Sequence, residues 1–177
     1  IKVPEDYELN TDIIKIIGTI QEDGSLQLTK TQGTTRDEIE ITKEENEPYK
    51  VTVKVEDEAK VKLKLTKLEK ETATPVRGIR YKLTGTGLPE NGKNVTTNTN
   101  GEITVKGLKV GEEYTLEETK ADGYYLASPI KFTVTNTDGA YTINVSEGTV
   151  KESAISEEEN IPTANIQVED EKIPTYN

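Results

Sequence analysis

Apolar and polar residues alternate along most of residues 60–172, and this period of two constrains the fold more than any other feature. Successive side chains of a β-strand point to opposite faces of a sheet, so alternation predicts strands with one buried and one solvated face. The alternating segments are VKLKLTK, GIRYKLT, EITVKG, EEYTLEE, PIKFTVT, AYTINV and ANIQVED. Turn residues, such as Asp-Gly at 122–123 and 138–139, separate them. The pattern predicts an all-β, antiparallel β-sandwich.

Helix is predicted to be sparse. The acidic segment KESAISEEEN, residues 151–160, is compatible with a turn of helix or with a solvated loop.

Composition limits the partners and the chemistry. The chain has 33 acidic and 22 basic residues and a net charge of −11, which argues against nucleic acid or an anionic membrane as a partner. No segment approaches the roughly 18 consecutive apolar residues of a membrane-spanning helix, so no membrane insertion is predicted within this sequence. Cysteine and histidine are absent, which excludes disulfides, thiol nucleophiles and histidine-based catalysis. No metal or other cofactor is predicted.

Residues 1–59 repeat the second half of residues 60–172. EDYEL at 5–9 resembles DGYYL at 122–126, EENEP at 44–48 resembles EENIP at 158–162, and VEDE closes each copy at 55–58 and 168–171. Because the matching segments keep their order, residues 1–59 are predicted to be the C-terminal half of a first module. Residues 60–172 are then a complete module, and 173–177 begin a linker or a further module. The chain is expected to be a piece of a longer protein.

Three predicted strands continue an inward-facing apolar stripe into one ionisable residue. These residues are Lys67 in the first strand of the complete module, Glu118 in EEYTLEE and Asp170 in the last strand, whereas Glu117 and Glu169 fall on the outward face. A buried charge is costly unless it is paired, so the three side chains are expected to meet. Alternation alone is also compatible with a purely structural ion triad, or with side chains that reach water at the strand ends.

A second interpretation of the three residues is chemical. Desolvation favours the neutral forms of an amine and a carboxylic acid, so a dry pair of Lys67 and Asp170 would place a nucleophile against a carboxyl carbon. Glu118 would move protons and polarise the carbonyl while water leaves. Holding the two groups in contact supplies the effective concentration that free solutes lack. The product would be an amide that links the first strand to the last.

The sequence also resembles a known family. GLKVGEEYTLEETKADGYYL, preceded by KLKLTKLEKET and PVRGIRYKLTG, is similar to the Cna protein B-type, or SpaA-type, repeat of Gram-positive surface proteins and pilins. The resemblance covers about residues 61–172, and residues 1–59 match its second half. It implies tandem sandwich modules with a prealbumin-like, immunoglobulin-like Greek key. It also implies an isopeptide bond between Lys67 and Asp170 promoted by Glu118, with Asp57 as the equivalent acceptor of the first module and its partner lysine outside this chain.

The function implied by the resemblance is structural. The chain would be a section of an extracellular adhesin or pilin, anchored to the cell wall or associated with a pilus, whose partners are neighbouring modules. It would not be an enzyme in the ordinary sense, because the amide reaction consumes its own residues. The alternative is a module that binds a host matrix protein or glycan through its loops.

Two further functions are disfavoured. NTNGE at 98–102 lacks the spaced acidic ligands of a calcium loop and is interpreted as a β-turn. Glu118 and Asp170 are both expected inside a thin sandwich, which leaves no room for the sugar of a glycosidase.

Overall fold

The computed structural model describes residues 4–33 and 37–175, and this part of the chain is built from β-strands, turns and loops. Residues 1–3 and 34–36 of the predicted first module, and 176–177 of the predicted linker, lie outside the described residues. No helix in the described ranges has the length and apolar character needed to span a membrane. The strands are β1 Tyr7–Glu8, β2 Lys15–Ile20, β3 Leu26–Gln32, β4 Glu38–Thr42, β5 Lys50–Lys54, β6 Glu58–Ala59, β7 Val61–Glu69, β8 Arg80–Gly85, β9 Lys93–Thr96, β10 Glu102–Leu108, β11 Glu113–Lys120, β12 Ile130–Thr137, β13 Ala140–Glu147, β14 Glu152–Glu158 and β15 Ile161–Asp170.

The chain forms two compact units, one of Tyr7–Glu58 and one made of the residues from Ala59 onward together with the described residues 4–6. The second unit contains two sheets. One has the strand order β10-β7-β15-β14 and the other has the order β13-β12-β11-β8-β9. This arrangement confirms the predicted all-β sandwich.

The core of the second unit lies between these two sheets and follows the alternation of the sequence. Each strand contributes every second residue, as the burial of β7 shows: Val61, Leu63 and Leu65 are at most 1% exposed. The facing sheet contributes Tyr114 and Phe132, whose rings stack with centroids 5.9 Å apart. Aromatic and branched aliphatic side chains therefore fill the interior at positions that the period of two predicted.

One pair of neighbouring strands differs from the antiparallel expectation. β15 and β7 run parallel, with Val168 opposite Lys67 and Asp170 opposite Glu69. Parallel neighbours need a long connection, and here the rest of the unit supplies it. The first and last strands of the unit are thus adjacent.

Two strands of the second unit were not predicted from the sequence. The segment interpreted as helix or loop contains β14, which pairs with β15 through Ser153 opposite Ile166 and Ile155 opposite Ala164. β14 lies at the edge of its sheet, so one side of the strand is solvated. Its acidic residues therefore do not alternate with apolar ones in the way that predicts a strand. The short strand β9 pairs with β8 at the edge of the other sheet.

The first unit has little buried apolar surface. It contains the hairpins β2–β3 and β4–β5. Among its described residues, no hydrophobic side chain is buried. Val51, Val53 and Val55 alternate with polar residues toward Asp57, which would suit a strand with one buried face, yet they are 41%, 38% and 54% exposed.

Hydrogen exchange should therefore distinguish the two units. We expect the backbone amides of β2–β5 to exchange through local opening at little free-energy cost, because few buried apolar contacts resist opening. Amides of β7, β11 and β15 should exchange only on global unfolding of the second unit. Native-state hydrogen exchange followed by mass spectrometry checks this, and equal protection in both units would contradict it.

Candidate functional site

Three ionisable side chains meet inside the second unit at the ends of their apolar stripes. Lys67 Nζ donates a hydrogen bond of 2.8 Å to Glu118 Oε2 and another to Asp170 Oδ1. The three residues are 0%, 6% and 2% exposed, so the cluster is dry. The structure thus brings together the three residues that alternation selected.

The topology explains how they meet. Lys67 and Asp170 lie on the adjacent parallel strands β7 and β15, two positions out of register, and both point into the core. Glu118 reaches them from β11 of the opposite sheet. The cluster consequently joins the first strand, the last strand and the facing sheet.

The cluster contains one potential cation and two potential anions. If all three were ionised, a net negative charge would be buried, which is strongly unfavourable. Burial raises the pKa of the Glu118 carboxyl, Lys67 opposes that rise and the neighbouring Asp170 adds to it. Glu118 is therefore the group suited to hold the proton.

Two carboxylate oxygens of the cluster carry no hydrogen bond from the described residues. They are Glu118 Oε1 and Asp170 Oδ2, both buried. Unsatisfied buried acceptors are rare and unfavourable. Only one oxygen of Asp170 accepts from Lys67, and that contact leaves the carboxyl group of Asp170 beside an amine.

The backbone around Lys67 is held by a turn at residues 98–101. Lys67 N donates to Gly101 O at 2.7 Å, and Val76 N donates to Lys67 O at 2.9 Å. A Cβ on Gly101 would lie 2.4 Å from Lys67 O, and the φ of Gly101 is +71°. Gly101 is thus required both by the turn and by its close approach to Lys67. Asn98 Oδ1 caps the turn by accepting from two backbone amides, those of Asn100 and Glu102.

Tyr81 is part of the site but was not predicted as such from the sequence. Its side chain is 2% exposed, and Lys67 Nζ lies 5.6 Å from the centroid of its ring. Burial raises the pKa of the Tyr81 phenol far above its usual range, and the Glu118 and Asp170 carboxyls raise it further. In GIRYKLT, Tyr81 is two positions before Leu83, so alternation places both side chains on the inward face. That pattern is typical of an ordinary core position and does not indicate a site residue.

The remaining predicted positions lie apart from this cluster. Glu117 is exposed, and Glu169 is paired with Lys151 on the outer side of β15. Asp57 is half-buried in the first unit, where its Oδ1 accepts a hydrogen bond of 3.0 Å from Asn10 N. No cluster of acidic residues in the described ranges is arranged to hold a metal ion.

Comparison with known proteins gives one family and a group of similar folds. The model of the SpaA family, described as a prealbumin-like fold domain, matches residues 61–149, which include Lys67 and Glu118 and end before Asp170. No curated protein matches the chain.

Among solved structures, a C-terminal fragment of the pilus adhesin SpaC from Lactobacillus rhamnosus GG is similar with a TM-score of 0.50 and 16% identity, over 98% of this chain and 74% of that one. The open conformation of the same adhesin gives a TM-score of 0.52 and 16% identity, over 98% of this chain but only 24% of that one. At 16% sequence identity, these similarities show a similar fold and nothing further.

The role of Gly101 can be tested by substitution, with a second glycine as the control. The control glycine should have a similar backbone conformation but free space where a Cβ would lie. Gly139 has a φ of +88° and no atom within 4 Å of the place that a Cβ would take, whereas a Cβ on Gly101 would meet Lys67 O. We expect Gly101→Ala to lower the free energy of unfolding by about 1–3 kcal/mol more than Gly139→Ala, because overpacking adds to the shared backbone strain. Urea unfolding followed by circular dichroism measures both. Equal losses would show that the close approach is unimportant.

Proposed function

We propose, from the premise that this chain belongs to the SpaA family of prealbumin-like domains, that it is a section of a Gram-positive surface stalk. In this proposal the protein is extracellular, either as a pilin or as an adhesin attached to the cell wall. Its partners are neighbouring modules of the same protein. The second unit is stiffened by an isopeptide bond that Lys67 and Asp170 form without an external enzyme.

The observation that carries the proposal is the contact of Lys67 Nζ with both carboxyls in a dry site. An amine and a carboxyl carbon held together have the high effective concentration that amide formation requires.

The bond would act as a covalent clamp. It would join two positions separated by 103 residues in sequence. On the loop-closure estimate for cross-links, a loop of this size stabilises the folded state by about 4–5 kcal/mol through the unfolded state. Because it joins the first strand to the last, it would also prevent β7 from separating from β15 under tension or during attack by proteases.

A similar proposal accounts for the first unit. We propose that residues 1–59 are the C-terminal half of a preceding module and that upstream residues of the parent protein complete it. Support comes from the repeat and from the exposed Val51, Val53 and Val55. The residues of β15 that align with them are Ala164, Ile166 and Val168, which are at most 2% exposed because a facing sheet covers them. Residues 60–172 are then the complete module, and 173–177 begin the next segment.

The cross-link predicts the mass of the purified chain. We expect the intact mass to be one water below the sequence value, and the denatured chain to migrate faster on a gel. Asp170→Ala and Lys67→Ala should each restore the full mass, because each removes one reacting group. Glu169→Ala is the matched control, since this neighbour points outward, and it should still lose one water. Loss of the reaction in Glu169→Ala but not in Asp170→Ala would show that the acceptor is misassigned.

The half-module proposal predicts what would complete the first unit. Residues 60–121 placed directly before residues 5–177 would supply the missing strands at the junction where DGYYL aligns with EDYEL. We expect this chimera to lose two waters, because Asp57 then has a lysine and a glutamate, and to slow amide exchange in β2–β5. Asp57→Ala in the chimera should reduce the loss to one water. Two waters lost by the original chain would contradict the proposal.

A further inference from the structure

The Tyr81 hydroxyl and one oxygen of Glu118 are both buried and both lack a hydrogen bond in the described residues. The two residues lie directly opposite each other in the β8–β11 ladder, so their side chains share the inner face. A buried donor beside a buried acceptor, each unsatisfied, is unfavourable unless the two pair at some stage. Tyr81 is thus the side chain placed to serve the free oxygen of Glu118.

We propose that Tyr81 is a positioning residue for amide formation: its hydroxyl donates a hydrogen bond to Glu118 Oε1 while Glu118 transfers protons. This inference rests on the proposed cross-link and assigns a residue to it that acts through Glu118 and does not touch the reacting atoms.

The reaction sequence shows when the hydrogen bond matters. The Lys67 ammonium first transfers a proton to the Asp170 carboxylate, which gives a neutral amine and a neutral acid. The Lys67 nitrogen then attacks the Asp170 carboxyl carbon, and the proton of Glu118 passes to the oxygen that leaves. The C–N bond forms, the C–OH bond breaks, and one water departs. Glu118, now a carboxylate, takes the surplus proton of the nitrogen and is restored.

Glu118 is therefore transiently negative in a site without solvent. A hydrogen bond to a charged acceptor is about twice as strong as one between neutral groups. In a buried site, water cannot replace this hydrogen bond. The Tyr81 hydroxyl therefore lowers the free energy of the step in which Glu118 is a carboxylate. A net contribution of the size usual for a hydrogen bond to a charged group corresponds to about a tenfold change in rate.

The ring of Tyr81 has a separate role that a phenylalanine would keep. It covers Lys67 Nζ at 5.6 Å from the ring centroid and fills the core beside Leu83. Tyr81→Phe consequently removes the hydroxyl while it keeps the packing.

Tyr114 provides a matched control on the neighbouring strand β11. It is also buried, but its hydroxyl is fully engaged: it accepts from Lys109 N at 2.8 Å and donates to Thr86 O at 2.9 Å. Tyr114→Phe removes a buried hydroxyl with established partners away from the cluster. It should lower stability without changing the reaction.

The test follows cross-linking as it occurs. The full chain and the two variants are made by cell-free translation, translation is stopped, and aliquots are transferred to buffers of different pH. The fraction that has lost one water is measured over time by intact mass, and folding is checked by circular dichroism of purified protein. We expect Tyr81→Phe to react about tenfold more slowly than the original chain, and Tyr114→Phe to react at the original rate.

The pH profile separates positioning from packing. The groups that face Glu118 are Lys67 from β7, Asp170 from β15 and Tyr81 from β8. The reaction needs Glu118 protonated at the start, so its rate falls as pH rises through the pKa of Glu118. The Tyr81 hydrogen bond favours the carboxylate, so Tyr81→Phe should raise that pKa and move the falling limb to higher pH. A change in packing alone would slow the reaction without moving the limb.

Three outcomes oppose the inference. An unchanged rate and limb in Tyr81→Phe overturn it and leave the cross-link intact. A slower rate with an unmoved limb assigns Tyr81 to packing and also overturns it. Absence of water loss in the original chain overturns the cross-link and the inference together.

Discussion

The structure of the second unit depends on placing one lysine and two carboxyls in a space that excludes water. Lys67 is fully buried, and a lone buried ammonium would be untenable, so the strands that carry Glu118 and Asp170 must come together around it. The ion cluster therefore specifies which strands are neighbours, whereas the apolar stripes alone would tolerate several pairings. A register slip of one residue in β15 would turn Asp170 outward and leave Lys67 with an incomplete set of partners.

The same requirement explains the surroundings of the cluster. Gly101 is needed because its strand-end turn touches the carbonyl of Lys67, and Tyr81 is needed because its ring closes the site over the amine. Both serve a lysine whose usual place is the protein surface. In this fold the local backbone and the packing are arranged around one charged residue inside the core.

The sandwich and the meeting of the three ionisable residues could be predicted from the sequence. The reason is geometric: successive side chains of a strand point to opposite faces of the sheet. Lys67, Glu118 and Asp170 each follow residues of an apolar stripe, which was enough to place them inside. β14 could not be predicted in this way, since an edge strand with one solvated side tolerates a run of acidic residues. Tyr81 could not be predicted as a site residue, because the sequence pattern of an inward-facing tyrosine is the same whether or not its hydroxyl acts in the site. Alternation alone also could not show that Val51 and Val53 are exposed, because burial depends on what packs over the face that a strand presents.

The parallel pairing of β7 and β15 decides where the chain enters and leaves the second unit. The chain enters β7 at Val61 and leaves β15 at Asp170, and because the two strands point the same way, entry and exit lie at opposite poles of the unit. An antiparallel pair would have returned the chain to its starting pole. Between these two ends the second unit therefore carries the polypeptide forward by about the length of one strand, roughly 30 Å at 3.3 Å per residue.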